Sequence, residues 1–209
     1  MSVDVRLIAI VDPASVRDPL GMVCAAEAGG ATAVQIRMKN NSASVMLDWA
    51  RRFITALAVP VYVNDRADVA WAAGAVGVHV GADDPSAVAL RDASPPHFRI
   101  GVSVGDEHEA DAFRHAAADY WSVGAMYHTR TKSDAGPPIG PTGLSRLARL
   151  APQGIPIVGI GGITLETASA VMAAGASGIA VSSAIFGGPD PETAARRLRD
   201  AVDAAGRVA

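Results

Sequence analysis

Thr129, Arg130, Thr131 and Lys132 place two hydroxyls and two cations in four consecutive positions, followed by Gly136, Pro137, Pro138 and Gly140. Hydroxyls, backbone N–H groups and a point-charge lysine are the groups that grip phosphate, and glycine and proline beside them give a loop joints with which to close over a ligand. The alternative is a basic surface loop. Upstream, Gln35, Arg37 and Lys39 alternate within Val34-Gln-Ile-Arg-Met-Lys39, so on an extended backbone they share one face. Such groups are costly in a closed core, so this face must open onto a ligand-facing mouth unless the strand is a half-exposed edge.

Two further apolar runs end in Asn64-Asp65-Arg66 and in His79-Val-Gly-Ala-Asp-Asp84. If these are neighbouring parallel strands, about 4.8 Å apart, Asp65 and Asp84 can converge on one hard cation, and Mg²⁺ bridging to a substrate phosphate is the usual reason for such a pair. Alternatively, each aspartate caps the helix that follows it. His79 alternates inward and reads as a hydrogen-bonded core histidine. Ser103 ends a strand without a Gly-x-Ser-x-Gly elbow around it, which reads as structural. Gly162 leaves room for a phosphate to approach backbone amides, and Ser182 and Ser183 offer donors at the start of a helical turn, so the three read as a phosphate cup. The site shows cations and donors but no nucleophile–base pair.

These groups need strands that end on one side of the molecule. Eight short β-rich runs supply them: Arg6 to Val11, Ala33 to Arg37, Val59 to Val63, Gly77 to Val80, Arg99 to Ser103, Tyr120 to Val123, Ile157 to Ile160 and Gly178 to Val181. Alanine-rich helical stretches lie between them, among them Ala43 to Ala56, Glu107 to Ala116, Thr164 to Ala174 and Pro191 to Ala205, and Asp190 with Pro191 forms a cap and first-turn pair. No linker interrupts the alternation. The reading is an α/β chain folded as one (β/α)8 TIM barrel with short loops over residues 1–209, with a doubly wound open sheet as the alternative. Ala73-Gly-Ala-Val-Gly-Val-His-Val80 and Ala174-Gly-Ala-Ser-Gly-Ile-Ala-Val181 repeat one grammar: helix end, glycine stop, alanine, and a glycine opening a buried strand. In such barrels active residues sit at strand C-termini, and the loops after the last two strands commonly bind phosphate.

The chain has 209 residues, half of them hydrophobic, and a formal net charge of −3. That charge argues against a nucleic-acid surface and for small anionic ligands held by local clusters. The single cysteine, Cys24, can form no internal disulfide and reads as a small buried side chain in a reducing compartment. The apolar run at the N-terminus is too short for a signal peptide and no stretch is long enough to span a membrane, so a cytoplasmic location is expected.

Six motifs, in order, resemble those of the thiamine phosphate synthase family: Val34-Gln-Ile-Arg-Met-Lys39, Val63-Asn-Asp-Arg66, Gly77-Val-His-Val-Gly81 with Asp84, Gly101-Val-Ser103, Thr129-Arg-Thr-Lys132 and Ile160-Gly-Gly-Ile163. The resemblance implies a TIM barrel that joins 4-amino-2-methyl-5-(diphosphooxymethyl)pyrimidine to thiazole phosphate, carboxylated or not, and releases pyrophosphate. By position it implies that Gln35, Ile36, Arg37, Met38, Lys39, Asn64, Ser103 and Lys132 hold the pyrimidine diphosphate, with Arg37, Lys39, Ser103 and Lys132 acting in catalysis. Asp65 and Asp84 would bind Mg²⁺. Thr129, Arg130, Thr131, Gly162, Ser182 and Ser183 would hold the thiazole phosphate.

The chain departs from the family pattern at Ala82, Gly105, Ala125 and His128, and the first strand lacks the usual tyrosine. These departures keep two alternatives open. One is a thiazole tautomerase-like isomerase, a relative that places a catalytic histidine where Ala125 stands. The other is a non-catalytic barrel that binds phosphorylated thiamine precursors. Two small-molecule substrates are the expected partners, and a homodimer is the assembly to test.

Overall fold

The structure is a computed structural model and describes residues 4–129 and 136–206. Eight parallel strands close into a barrel in sequence order: β1 Leu7–Val11, β2 Ala33–Ile36, β3 Val61–Asn64, β4 Gly77–Val80, β5 Arg99–Val104, β6 Tyr120–Val123, β7 Ile157–Ile160 and β8 Gly178–Val181. The ring is sealed by β1 and β8, with Ile8 opposite Ala180. Closure excludes the doubly wound sheet and leaves β2 no free edge.

Around the barrel lie α1 Pro19–Ala28, α2 Ala43–Ala56, α3 Ala67–Ala73, α4 Ala87–Ala93, α5 Glu107–Phe113, α6 Gly140–Ala148, α7 Leu165–Ala173, the short α8 Ser183–Phe186 and α9 Pro191–Gly206. A 3₁₀ turn, Pro13–Ser15, follows β1. Each strand is buried on both faces, which is why it reads as a near-continuous apolar run. Val34, Ile36, Val63, Val78, Val80, Ile100 and Val102 pack outward beneath the helices. Ile8, Ile10, Ala33, Tyr62, Tyr120, Val158 and Ala180 fill the interior.

The repeated glycine grammar has a direct physical cause. Gly74 and Gly175 stop α3 and α7 with φ of +76° and +102°. A Cβ on Gly77 would lie 2.2 Å from the Arg99 carbonyl oxygen, and one on Gly178 would meet the Val5 carbonyl oxygen still more closely. Each strand therefore begins where a neighbouring backbone leaves no room for a side chain.

At the opposite end from the strand C-termini, Asp119 binds two guanidinium groups. Its Oδ2 accepts from Arg91 Nη2 at 2.6 Å and from the Ile100 amide at 2.8 Å, and its Oδ1 accepts from Arg99 Nη1 at 2.7 Å. That plug ties the starts of β5 and β6 to α4.

Three sequence expectations shift. The third strand begins at Val61 instead of Val59, because Pro60 has no N–H to donate; its carbonyl still accepts from Val34 N at 3.0 Å. The fifth helix stops at Phe113, short of Ala116. Cys24, expected as a small buried side chain, is half-buried and packs against the helix–sheet core. Among the described residues, no helix is long and apolar enough to cross a membrane.

Candidate active site

The polar side chains of the barrel interior gather toward the strand C-termini, on one side of the mouth. Gln35, Asn64, His79, Ser103 and Ser122 come from the five consecutive strands β2 to β6, while Ile160, Ala180 and Ile10 line the remaining arc. Gln35 and Asn64 are buried and answer each other: Gln35 Nε2 donates to Asn64 Oδ1 at 2.7 Å. The alternation of Gln35, Arg37 and Lys39 holds, with burial falling stepwise from buried Gln35 through half-buried Arg37 to exposed Lys39. Their face leads from the barrel floor to open solvent. Ile36 and Met38 point the other way, into the helix–sheet core, so any ligand contact they make falls to their backbone.

Asp65 and Asp84 come together at the ends of β3 and β4. Asp65 has a φ of +65°, unusual for a residue with a side chain, and its amide donates to the His79 carbonyl at 2.8 Å. Burial, then the charge and hydrogen bond of Asp84, push its carboxyl up to about 6, against the opposing pull of Lys39 and Arg37. The capping alternative fails for both residues. Helix α4 is capped by Ser86, which accepts from Ala89 N at 3.2 Å, and the cap position of α3 is Arg66. Asp84 Oδ2 instead accepts from the Gly81 amide at 2.8 Å.

A two-carboxylate set of hard oxygens fits Mg²⁺, which keeps several waters and takes its other ligands from substrate phosphate. Among the described residues there is no cluster of three or more side chains of metal-ligating type.

A cleft of about 360 Å³ opens beside this arc, lined by Arg37 and by Asp12, Ser15, Ser182 and Ser183 together with apolar residues of β1 and α8. Arg37 and the two serines, distant in sequence, thus share one cavity. Gly162 sits at the neighbouring strand end for a reason beyond ligand access: its φ is +65°, and a Cβ there would lie 2.4 Å from the His128 carbonyl oxygen. The loop after β6 packs on this turn, Met126 N donating to Ile160 O at 2.8 Å and Tyr127 N to Gly161 O at 2.9 Å. Thr129 is half-buried at the end of that loop and has a partner. Arg130, Thr131 and Lys132 lie outside the described residues, and with them the expected clamp.

Two residues of this region, Asp12 and Ser122, are not singled out by the sequence patterns. Asp12 ends β1 just before Pro13 and accepts from Ala14 N at 3.0 Å and Ser15 Oγ at 3.1 Å; the strand-end rule applied to the other aspartates would have found it. Ser122 is buried and its hydroxyl has no hydrogen-bond partner among the described residues; only its inward alternation with Tyr120 marked it. His79 is the hydrogen-bonded core histidine that its alternation predicts, 3% exposed. Its Nε2 lies 3.0 Å from Ser103 Oγ and its Nδ1 3.0 Å from Tyr120 Oη.

The sequence predicts no nucleophile–base pair, and the His79–Ser103 contact is the one arrangement here that could be taken for one. Distance alone would admit a nucleophile and base, but a triad orients the histidine with a carboxylate, and here Nδ1 meets a phenol. Burial, with the nearby Tyr62 and Asp119, holds that phenol well above its ordinary range, so it stays protonated.

Fold and site together define a (β/α)8 enzyme with its polar groups over the strand C-termini. The chain belongs to the thiamine monophosphate synthase family, whose pattern it matches over residues 7–185. It is 45% identical over 187 residues to the thiamine-phosphate synthase of Roseiflexus castenholzii, covering 88% of this chain and 81% of that one. With the enzyme of the same name from Agrobacterium fabrum it shares 40% identity over 212 residues, covering 97% and 96%. The solved structure of thiamine phosphate pyrophosphorylase from Pyrococcus furiosus superposes with a TM-score of 0.88 at 32% identity, over 97% of this chain and 98% of that one.

Proposed function

We infer that this barrel is a transferase that condenses the diphosphooxymethyl pyrimidine with thiazole phosphate to give thiamine phosphate and pyrophosphate. The observation that carries the reading is the convergence of Arg37, the Gln35–Asn64 pair and the Asp65–Asp84 pair on one mouth, in a chain of this family. In this reaction the C–O bond to diphosphate breaks, leaving a cation delocalised into the aminopyrimidine, and the thiazole nitrogen then forms the new C–N bond. The attacking nitrogen carries no proton, so no general base is required.

Catalysis then rests on stabilising separated charge. Arg37 and Lys39 at the mouth hold the departing diphosphate, and Lys132 takes the same role from its place in the sequence motif. Mg²⁺ on Asp65 and Asp84 would supply further positive charge beside that leaving group. Gln35, braced by Asn64, and Ser103 present fixed polar groups to the pyrimidine. Ser182 and Ser183, across the cleft from Arg37, and the turn at Gly162 receive the thiazole phosphate, with Thr129, Arg130 and Thr131 of the β6 loop. Of the alternatives, the tautomerase reading loses ground, because Ala125 packs against Gly161 and His128 is exposed with its carbonyl against Gly162.

Incubation with both substrates and Mg²⁺, read by mass spectrometry, tests the assignment. Thiamine phosphate is the expected product. Isomerised thiazole carboxylate phosphate formed without any pyrimidine diphosphate would favour the tautomerase.

A further inference from the structure

His79, Gly101 and Tyr120 are successive register partners across β4, β5 and β6. The middle member has no side chain, and a Cβ on Gly101 would lie 2.2 Å from Tyr120 Cζ. The tyrosine ring therefore occupies the space over β5, and its hydroxyl reaches across to His79 Nδ1 at 3.0 Å. The imidazole lies 5.6 Å from the phenol ring, tilted by 30°, and its other nitrogen meets Ser103 Oγ at 3.0 Å, two residues nearer the mouth on β5. Tyr120 is fully enclosed, His79 is 3% exposed, and Ser103 is half-exposed at the mouth. A buried chain thus runs from the barrel interior to a single hydroxyl at the site.

We propose that His79 is a positioning residue, locked by Tyr120 in the tautomer protonated on Nε2, so that Ser103 presents its hydroxyl to the pyrimidine as a hydrogen-bond donor. The inference rests on the reading of Ser103 as a pyrimidine-binding residue. Each neutral imidazole has one donor and one acceptor nitrogen. If Nδ1 carried the proton, it would donate to the phenol oxygen and strand the buried phenol O–H, which among the described residues has no acceptor other than His79. With the proton on Nε2, Tyr120 donates to Nδ1 and Nε2–H donates to Ser103 Oγ. The serine's own O–H is then directed at the ligand. Its natural complement is an acceptor such as a pyrimidine ring nitrogen, not the exocyclic amine.

Two measurements on the full chain test this. In a kinetic cycle, Ser103→Ala and His79→Ala should each lower kcat/KM for the pyrimidine diphosphate about tenfold, as expected for one neutral hydrogen bond. The KM for thiazole phosphate should not move, and the double variant should be no worse than Ser103→Ala. His79→Gln, which keeps an N–H near the Nε2 position, should recover most of the loss. Nitrogen-15 NMR of labelled protein, with His79 assigned by its absence from the His79→Gln spectrum, should show the Nε2–H tautomer, and Tyr120→Phe should change it. An Nδ1–H tautomer in the unaltered protein, or additive losses from Ser103→Ala and His79→Ala, would overturn the relay. If Ser103→Ala keeps full activity, the assignment of Ser103 to the pyrimidine fails instead, whatever the tautomer.

Discussion

The carboxyl of Asp65 is in hydrogen-bonding contact with that of Asp84, and neither caps the helix after it. Burial and the neighbouring carboxylate raise Asp65 from 3.8 to about 6. Because the folded value lies above the ordinary one, the contribution of Asp65 to stability is fully present below pH 3.8 and is lost as pH rises through about 6. Melting curves of metal-free protein should therefore carry a loss from Asp65 across that window. Added Mg²⁺ should raise the melting temperature clearly at pH 7.5 and little at pH 5, where protons compete for the site. A Mg²⁺ shift that is the same at both pH values, or that survives in Asp65→Asn with Asp84→Asn, would remove the metal from this pair.

Asp84→Ala separates function from architecture. The carboxylate holds one backbone amide, Gly81 N, and no helix terminus, so its loss should change stability by no more than about 1 kcal/mol. Turnover with saturating substrates and Mg²⁺ should fall at least about 100-fold, since a metal ligand contributes several kcal/mol to the charge-separated transition state. Chemical denaturation alongside steady-state kinetics checks both halves.

Arg37 shares its cleft with Ser182 and Ser183 and projects on the same face as Gln35. Replacing it with alanine removes a charge-assisted donor to phosphate, and kcat/KM should drop roughly 10- to 100-fold. Arg37→Lys should recover only part of this, because a point charge cannot reproduce the planar fork. Equal activity of the arginine and alanine forms would take Arg37 out of the site.

Asp119 lies at the far end of the barrel and should show the opposite pattern. It neutralises Arg91 and Arg99 and accepts from Ile100 N in a half-buried setting. Asp119→Ala removes the carboxylate shared by the two guanidinium groups and leaves the Ile100 amide without its acceptor, while Arg91 keeps its bonds to the Ala117 and Phe98 carbonyls, so it should cost about 2 kcal/mol in urea unfolding. The kcat of the protein that remains folded should be unchanged.

The strands were legible almost to the residue because both faces of each are buried, which writes them as unbroken apolar runs between glycine stops. The site was legible where it depends on one strand's alternation, as at Gln35, Arg37 and Lys39. It was not legible where two distant residues must meet through a third. Nothing local to His79 announces Tyr120, 41 positions away, because their contact requires the missing side chain of Gly101. Whether Asp65 and Asp84 were caps or partners was equally undecidable from spacing, since Ser86 could claim the end of α4 only once the helix start was fixed.

Release of pyrophosphate, followed in a coupled assay, reports directly on the condensation. The expected result is one pyrophosphate per thiamine phosphate, none with thiazole phosphate alone, and loss of the signal when EDTA is added to the complete mixture. Full activity in EDTA would contradict the metal assignment, and the absence of pyrophosphate with both substrates and Mg²⁺ present would contradict the transferase itself.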